Sequence, residues 1–197
     1  MTTQLPLTNL QTRDVAALLH PYTPLHRLNV NGPIVVERGK GVHVYDTQGR
    51  AYIEGMSGLW CAGLGFGDEE LAEAGAEQLR KLPYYHLFGA KGMEPAIELA
   101  EKLKELAPID VARVFFCSSG SEANDTQVKL AWYYNNALGR PNKKKIISRV
   151  KAYHGVTVMT ASLTGLPNNH IDFDLPVDRV LHADCPHHYR FSEPGET

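Results

Sequence analysis

A chain of 197 residues with 43% hydrophobic and 21% charged side chains is ordinary globular material, long enough for one full domain or for part of a larger one. A formal net charge of -2, with acids and bases interleaved, excludes the electrostatic footprint of a nucleic-acid or anionic-membrane binder. Cys61, Cys117 and Cys185 build no disulfide framework, residues 1–20 lack a basic segment followed by an apolar one, and no apolar run approaches the roughly 18 residues of a membrane span. A cytoplasmic protein that does not enter the membrane is expected.

The first thirty residues are punctuated by Pro and Thr, with one short helix expected over 12–19. A strand is expected at Pro33-Ile34-Val35-Val36-Glu37-Arg38, followed by a Gly-Lys-Gly turn. Val42-His43-Val44-Tyr45 and Ala51-Tyr52-Ile53-Glu54 then alternate around Asp46-Thr47-Gln48-Gly49-Arg50, the pattern of an antiparallel hairpin. The opening reads as a small meander over residues 1–65, distinct in character from residues 66–197.

A helix is expected over 69–82, with Asp68 as its cap and Pro83 as its stop. A second helix is expected over 95–107, where Pro95 suits the first turn and Ile97, Ala100, Leu103 and Ala107 mark one face. A strand at 113–117, a helix over 121–138 closed by Gly139, a strand at 145–150 and a third at 177–181 complete the set. Strands alternating with helices argue an α/β fold with a mostly parallel sheet. Lys143-Lys144-Lys145 opens a strand and reads as a solvated rim. Residues 191–197 show no terminating element, so the chain is expected to stop mid-domain with an open sheet edge.

Ligands of a parallel sheet bind outside the carboxyl ends of its strands. Two such ends are readable here, Ser118-Ser119-Gly120-Ser121 and Ala152-Tyr153-His154-Gly155, and a crossover helix between their strands brings both to one edge. The first has the chemistry of an anion site: free N–H groups at a helix start, a glycine for close approach, and serine hydroxyls. It equally fits a capping box running from Ser119 to Glu122, which needs no ligand, and the residues alone leave that choice open. There is neither a P-loop nor a GxGxxG fingerprint. The second loop offers the Tyr153 ring, able to stack on a flat heteroaromatic. Together the loops suit a ligand that is phosphorylated and planar.

The succession Met56-Ser57-Gly58-Leu59-Trp60, Phe115-Phe116-Cys117-Ser118-Ser119-Gly120-Ser121-Glu122-Ala123-Asn124 and Ala152-Tyr153-His154-Gly155 resembles class III pyridoxal-phosphate-dependent aminotransferases, in the branch of omega-amino-acid and amine:pyruvate transaminases. The resemblance implies the aspartate aminotransferase-like fold type I, with 1–65 as part of the small domain and 66–197 as the first part of the large domain. It implies pyridoxal 5'-phosphate as cofactor, its phosphate on the Ser119-Gly120-Ser121 turn through the N–H groups and hydroxyl of Gly120 and Ser121. Tyr153 would stack on the pyridine ring, with His154 and Gly155 shaping the loop. Trp60 and Tyr22 would line the substrate pocket, and Phe88 would reach a neighbouring subunit's site, which implies a homodimer.

The Schiff-base lysine and the aspartate on the ring nitrogen lie, in the family, beyond the last residue here, and no residue of this chain takes a catalytic role by the resemblance. Lys151 leads the Tyr153 loop but does not match the family's lysine position. The expected function is transamination between an amine or omega-amino acid and a keto acid such as pyruvate. A truncated, non-catalytic fragment or dimerisation module, or an aminomutase of the same class, stands beside that reading, and residues 1–197 alone are expected to be inactive. His182-Ala183-Asp184-Cys185-Pro186-His187-His188 has no regular ligand spacing and reads as a loop, so no metal is expected. Cys117 has no evident base and is not read as a nucleophile.

Overall fold

A computed structural model describes residues 6–192 and Gly195, so the ending read over 191–197 lies mostly outside the described residues. The chain divides into two compact units, Met1–Met93 and Glu94–Thr197.

In the first unit, helix α1 (Asn9–Ala17) starts earlier than expected because Thr8 and Gln11 form a capping box. The Gln11 amide donates to Thr8 Oγ1 at 3.3 Å and the Thr8 amide donates to Gln11 Oε1 at 3.0 Å. Helix α2 (Leu25–Asn31) is not legible from periodicity; it follows Pro24 and ends on Gly32 at φ 67. Strands β1 (Val36–Lys40), β2 (His43–Asp46) and β3 (Ala51–Ile53) form the expected antiparallel meander in that order. The strand expected from Pro33 begins only at Val36, and the register slips between Val36 and Arg38. The four-residue turn α3 (Ser57–Trp60) precedes α4 (Glu69–Lys81). Asp68 caps α4 through Leu71 N at 2.9 Å, with Glu69 and Glu70 in the first turn and Arg80 and Lys81 in the last, each sign suited to the helix dipole.

One carboxylate organises the hairpin. Asp46 is only 2% exposed. Its Oδ1 accepts from the Gln48 and Arg50 amides, both at 2.9 Å, and its Oδ2 accepts from Arg50 Nε at 2.7 Å and Tyr52 Oη at 2.9 Å. Turn backbone and both flanking strands therefore converge on one side chain.

In the second unit, α5 (Glu94–Leu106) matches its expected span within a residue. The strand expected at 113–117 is absent: the segment pairs with no strand among the described residues. An apolar run becomes a strand only where a neighbouring backbone accepts its N–H groups, and here Phe115 stays 72% exposed. Helix α6 (Gly120–Ala137) ends as expected at Gly139, whose φ is 68. The Gly139 amide donates to Asn136 O at 3.0 Å and the Arg140 amide to Asn135 O at 2.8 Å, the paired bonds of a Schellman cap.

Strand β4 (Ile146–Arg149), helix α7 (Val158–Leu163) and strand β5 (Val180–Ala183) form a strand-helix-strand unit in which β4 and β5 pair in parallel. Val128 of α6, Leu163 of α7 and Val180 of β5 form its buried core, with Trp132, Ile146, Met159 and Val177 packed around them. Lys144 is a tie rather than a solvated rim: its Nζ donates to Trp132 O at 2.9 Å and Asn136 Oδ1 at 2.6 Å, while Trp132 Nε1 donates to Lys144 O.

Burial would raise the Asp46 pKa, but the bonds from Arg50, Tyr52 and Gln48 outweigh it and lower the value from 3.8 to about 2. A pKa lower in the folded state contributes stability that is full above the ordinary carboxylate range and is lost as pH falls through the folded value. The melting temperature should therefore fall with acidification from about pH 4 towards pH 2. Asp46→Asn should melt lower at neutral pH and lose much of that acid dependence. A variant with the parent's melting temperature and acid profile would contradict the assignment.

Candidate functional site

The two loops singled out by sequence meet in the second unit, although one of their expected strands does not form. Ser119 is the N-cap of α6, its backbone extended at φ -154 and ψ 160, and its Oγ accepts from the Glu122 amide at 3.1 Å. Glu122 reaches back one residue further than in a reciprocal capping box, accepting from the Ser118 amide at 2.8 Å. Ser119 therefore caps, while the amides of Gly120 and Ser121 lie in the first turn, where no intrahelical acceptor exists.

Ser121 faces the second loop: its Oγ accepts from the Val156 amide at 3.1 Å, leaving its O–H free to donate elsewhere. Gly155 lies against the same hydroxyl at φ 130, and a Cβ there would overlap both Ser121 Oγ and Thr160 Oγ1. Only glycine fits that position.

Tyr153, His154 and Gly155 occupy one tethered segment. Tyr153 is 58% exposed, Gly155 is buried and His154 is half-buried. Asn124 Nδ2 donates to His154 O at 2.9 Å, and the His154 amide donates to Thr164 Oγ1 at 2.9 Å. The Thr164 hydroxyl in turn donates to Gly155 O at 3.2 Å. Thr157, the cap of α7, donates to Asp125 Oδ1 at 3.0 Å and so ties α7 to α6.

Asn124, Asp125, Thr157, Thr160 and Thr164 were not identified from sequence. Asn124 and Asp125 follow the Ser119-Gly120-Ser121-Glu122 turn after Ala123, one helical turn inside α6, which was the available signal. The threonines carried none, because a Thr- and Ser-rich segment reads as a loop until its buried partners are known.

Tyr22, Trp60 and Phe88 belong to the first unit. Trp60 is 88% exposed and sits at φ 74, the last of four successive residues, Ser57 to Trp60, with positive φ. A left-handed conformation costs an L-residue roughly 1–2 kcal/mol. Glu54 holds this turn, accepting from the Met56 amide at 3.0 Å and the Gly58 amide at 2.6 Å. Tyr22 is also in the left-handed region, at φ 50. Phe88 lies 6.2 Å from the His86 ring, which stacks on Tyr85 at 4.7 Å.

In the His182–His188 stretch, His182 Nε2 is 3.3 Å from Leu163 O and its ring tilts against His170 at 5.6 Å. Among the described residues no three His, Cys, Asp or Glu side chains converge as metal ligands, and no helix is long and apolar enough to cross a membrane.

Residues 26–196 match the family described as aminotransferase class-III. Gamma aminobutyrate transaminase 1, mitochondrial, of Solanum lycopersicum is 52% identical over 181 residues, covering 91% of this chain and 35% of that protein. Vanillin aminotransferase of Capsicum frutescens is 51% identical over 91% of this chain and 39% of its own length. Among solved structures, an omega transaminase from Pseudomonas jessenii in complex with PMP is 56% identical, with a TM-score of 0.93 over 96% of this chain and 42% of that one. An omega-aminotransferase from Paracoccus denitrificans is 41% identical, with a TM-score of 0.92 over 96% of this chain. The chain thus spans about a third to two fifths of the length of these proteins. On sequence and fold together, it belongs to the class III aminotransferase family, whose members are enzymes.

Proposed function

We propose that this chain supplies the phosphate- and ring-holding part of a pyridoxal-phosphate-dependent transaminase site that moves an amino group between an amine or omega-amino acid and a keto acid such as pyruvate. The observation that carries the reading is the start of α6 abutting the Tyr153 loop. Two backbone N–H groups without helical acceptors, those of Gly120 and Ser121, and one free hydroxyl proton on Ser121 lie beside a loop fixed to Ser121 itself. That donor set suits a phosphate dianion, aided by the positive end of an 18-residue helix.

The residues fit the cofactor. Ser119 maintains the helix start; Gly120 and Ser121 would donate to the phosphate, and the exposed Tyr153 ring would stack on the pyridine face. His154 and Gly155 shape the loop, Gly155 by having no side chain. When bound, pyridoxal phosphate supplies the electron sink that amino-group transfer requires. The PMP in the Pseudomonas jessenii structure and the transaminase names of the plant relatives support this choice.

In the first unit, Trp60 and Tyr22 are proposed as walls of the substrate pocket, and Phe88, 83% exposed, as a contribution to a neighbouring subunit's site in a homodimer. Residues 1–65 correspond on this reading to part of a small domain, and 66–197 to the start of the large one. Residues 1–197 by themselves are proposed not to turn over. Lys151 is the lysine nearest the loop in sequence, but it enters the loop at φ 70, its side chain is exposed, and its position does not match that of the family's lysine.

Ser121→Ala should weaken pyridoxal phosphate binding on the order of tenfold in an equilibrium titration, because it deletes a charge-assisted donor and leaves the Val156 amide unpaired. Tyr153→Ala should weaken binding or shift the bound cofactor's absorbance. Parent-like affinity in Ser121→Ala would remove the phosphate assignment, and an unchanged affinity and spectrum in Tyr153→Ala would make that residue simple packing. Borohydride reduction of residues 1–197 with the cofactor should leave no stoichiometric adduct on any one lysine. A single modified lysine would contradict the proposed inactivity.

A further inference from the structure

We propose that Thr164, with Gly165 and Asn124, sets the position of the Tyr153 ring and is therefore a positioning residue of the cofactor site. This inference rests on the stacking role given to Tyr153 above.

The backbone is pinned on both sides of Tyr153. Before it, the Lys151 amide donates to Gly165 O and the Gly165 amide donates to Ala152 O, both at 2.8 Å. The chain crosses the latter pair only because Gly165 lacks a Cβ, which would overlap Arg149 O and Val150 Cα. After it, the Thr164 hydroxyl accepts from the His154 amide and donates to Gly155 O, while Asn124 Nδ2 holds His154 O. Tyr153 is the residue left between these ties. Its side chain is 58% exposed although Thr164 behind it is fully buried. Pinning the backbone on both sides of an exposed ring removes the backbone share of the ordering cost before a ligand arrives and fixes where the ring can project, an arrangement that favours stacking.

The platform is itself anchored. Thr164 N donates to Thr160 O at 2.9 Å, and Leu163 O, one residue earlier, accepts from buried Ser148 Oγ of β4. Movement of Thr164 is thus resisted by α7 and β4 together. The entry residue Lys151 is held in the left-handed region at φ 70, a strained conformation that persists only where its surroundings impose it. Core packing alone would be met by any side chain of this volume, whereas these bonds need one hydroxyl that accepts and donates at once.

The experiment is a titration of the full chain with pyridoxal phosphate, alongside the melting temperature of the cofactor-free protein, for Thr164→Val, Thr164→Ser, Tyr153→Ala and the double variant Thr164→Val/Tyr153→Ala. Thr164→Val keeps the volume and removes both bonds, and it should weaken binding on the order of tenfold. Thr164→Ser should restore most of the affinity. Thr164→Val should add little in the Tyr153→Ala background, a coupling that a general loss of stability would not produce. Asn124→Ala removes one tie without touching the core and should show the same coupling more weakly, which keeps the test decisive if Thr164→Val does not fold. Parent-like binding in Thr164→Val beside a weakened Tyr153→Ala would overturn this inference alone, as would equal losses with and without the ring. Parent-like binding and spectrum in Tyr153→Ala would overturn the stacking role and this inference with it.

Discussion

The second unit depends on one close approach, that of Gly155 to the Ser121 hydroxyl at the start of α6. The Val156 amide bonds to that hydroxyl at 3.1 Å, and the space a Gly155 side chain would need is already filled by Ser121 and Thr160 oxygens. Asn124, which donates to His154 O, adds a second tie between the same loops. With these ties, helix-end donors and an exposed aromatic ring share one edge, and α6 and α7 are drawn together through Thr157 and Asp125.

The approach is made by small and hydroxylic residues rather than by apolar packing. The core beneath it is short, formed by Val128, Leu163 and Val180 with four partly buried neighbours. Thr160, Ser162 and Thr164 are the most deeply buried side chains described, and each has hydrogen-bond partners. A buried hydroxyl without a partner costs about 1–3 kcal/mol, so these residues specify geometry as well as fill space. An edge built this way is held where its backbone is tied and exposed where the Tyr153 ring projects.

Local signals in the sequence were enough for much of this. The caps of α4 and α6, the Schellman end at Gly139 and the Asp46 turn are encoded by neighbouring residues and lie at the expected places. The meeting of the Ser119-Gly120-Ser121 and Tyr153-His154-Gly155 loops was expected from a crossover between two parallel strands; the loops do meet, but the first of those strands does not pair among the described residues, and side-chain ties from α6 hold them together. Features set by distant partners were not legible. The 113–117 run has strand composition but no paired neighbour among the described residues, and composition cannot report a neighbour. The segment Val158–Leu163 hides a helix because its hydroxyl residues mimic a loop until Asp125 and the backbone of 154–157 are placed beside them. The left-handed Ser57–Trp60 turn announces itself only through Gly58, and its stabiliser Glu54 resembled an ordinary strand-end acid.

The first turn of α6, in register with the Tyr153 loop, is proposed as a phosphate site. The most direct measurement is a crystal structure of the protein with pyridoxal phosphate bound. Phosphate oxygens are expected about 3 Å from the amides of Gly120 and Ser121 and from Ser121 Oγ, with the pyridine ring against Tyr153. A cofactor whose phosphate lies elsewhere, with those amides bonded only to water, would contradict the claim.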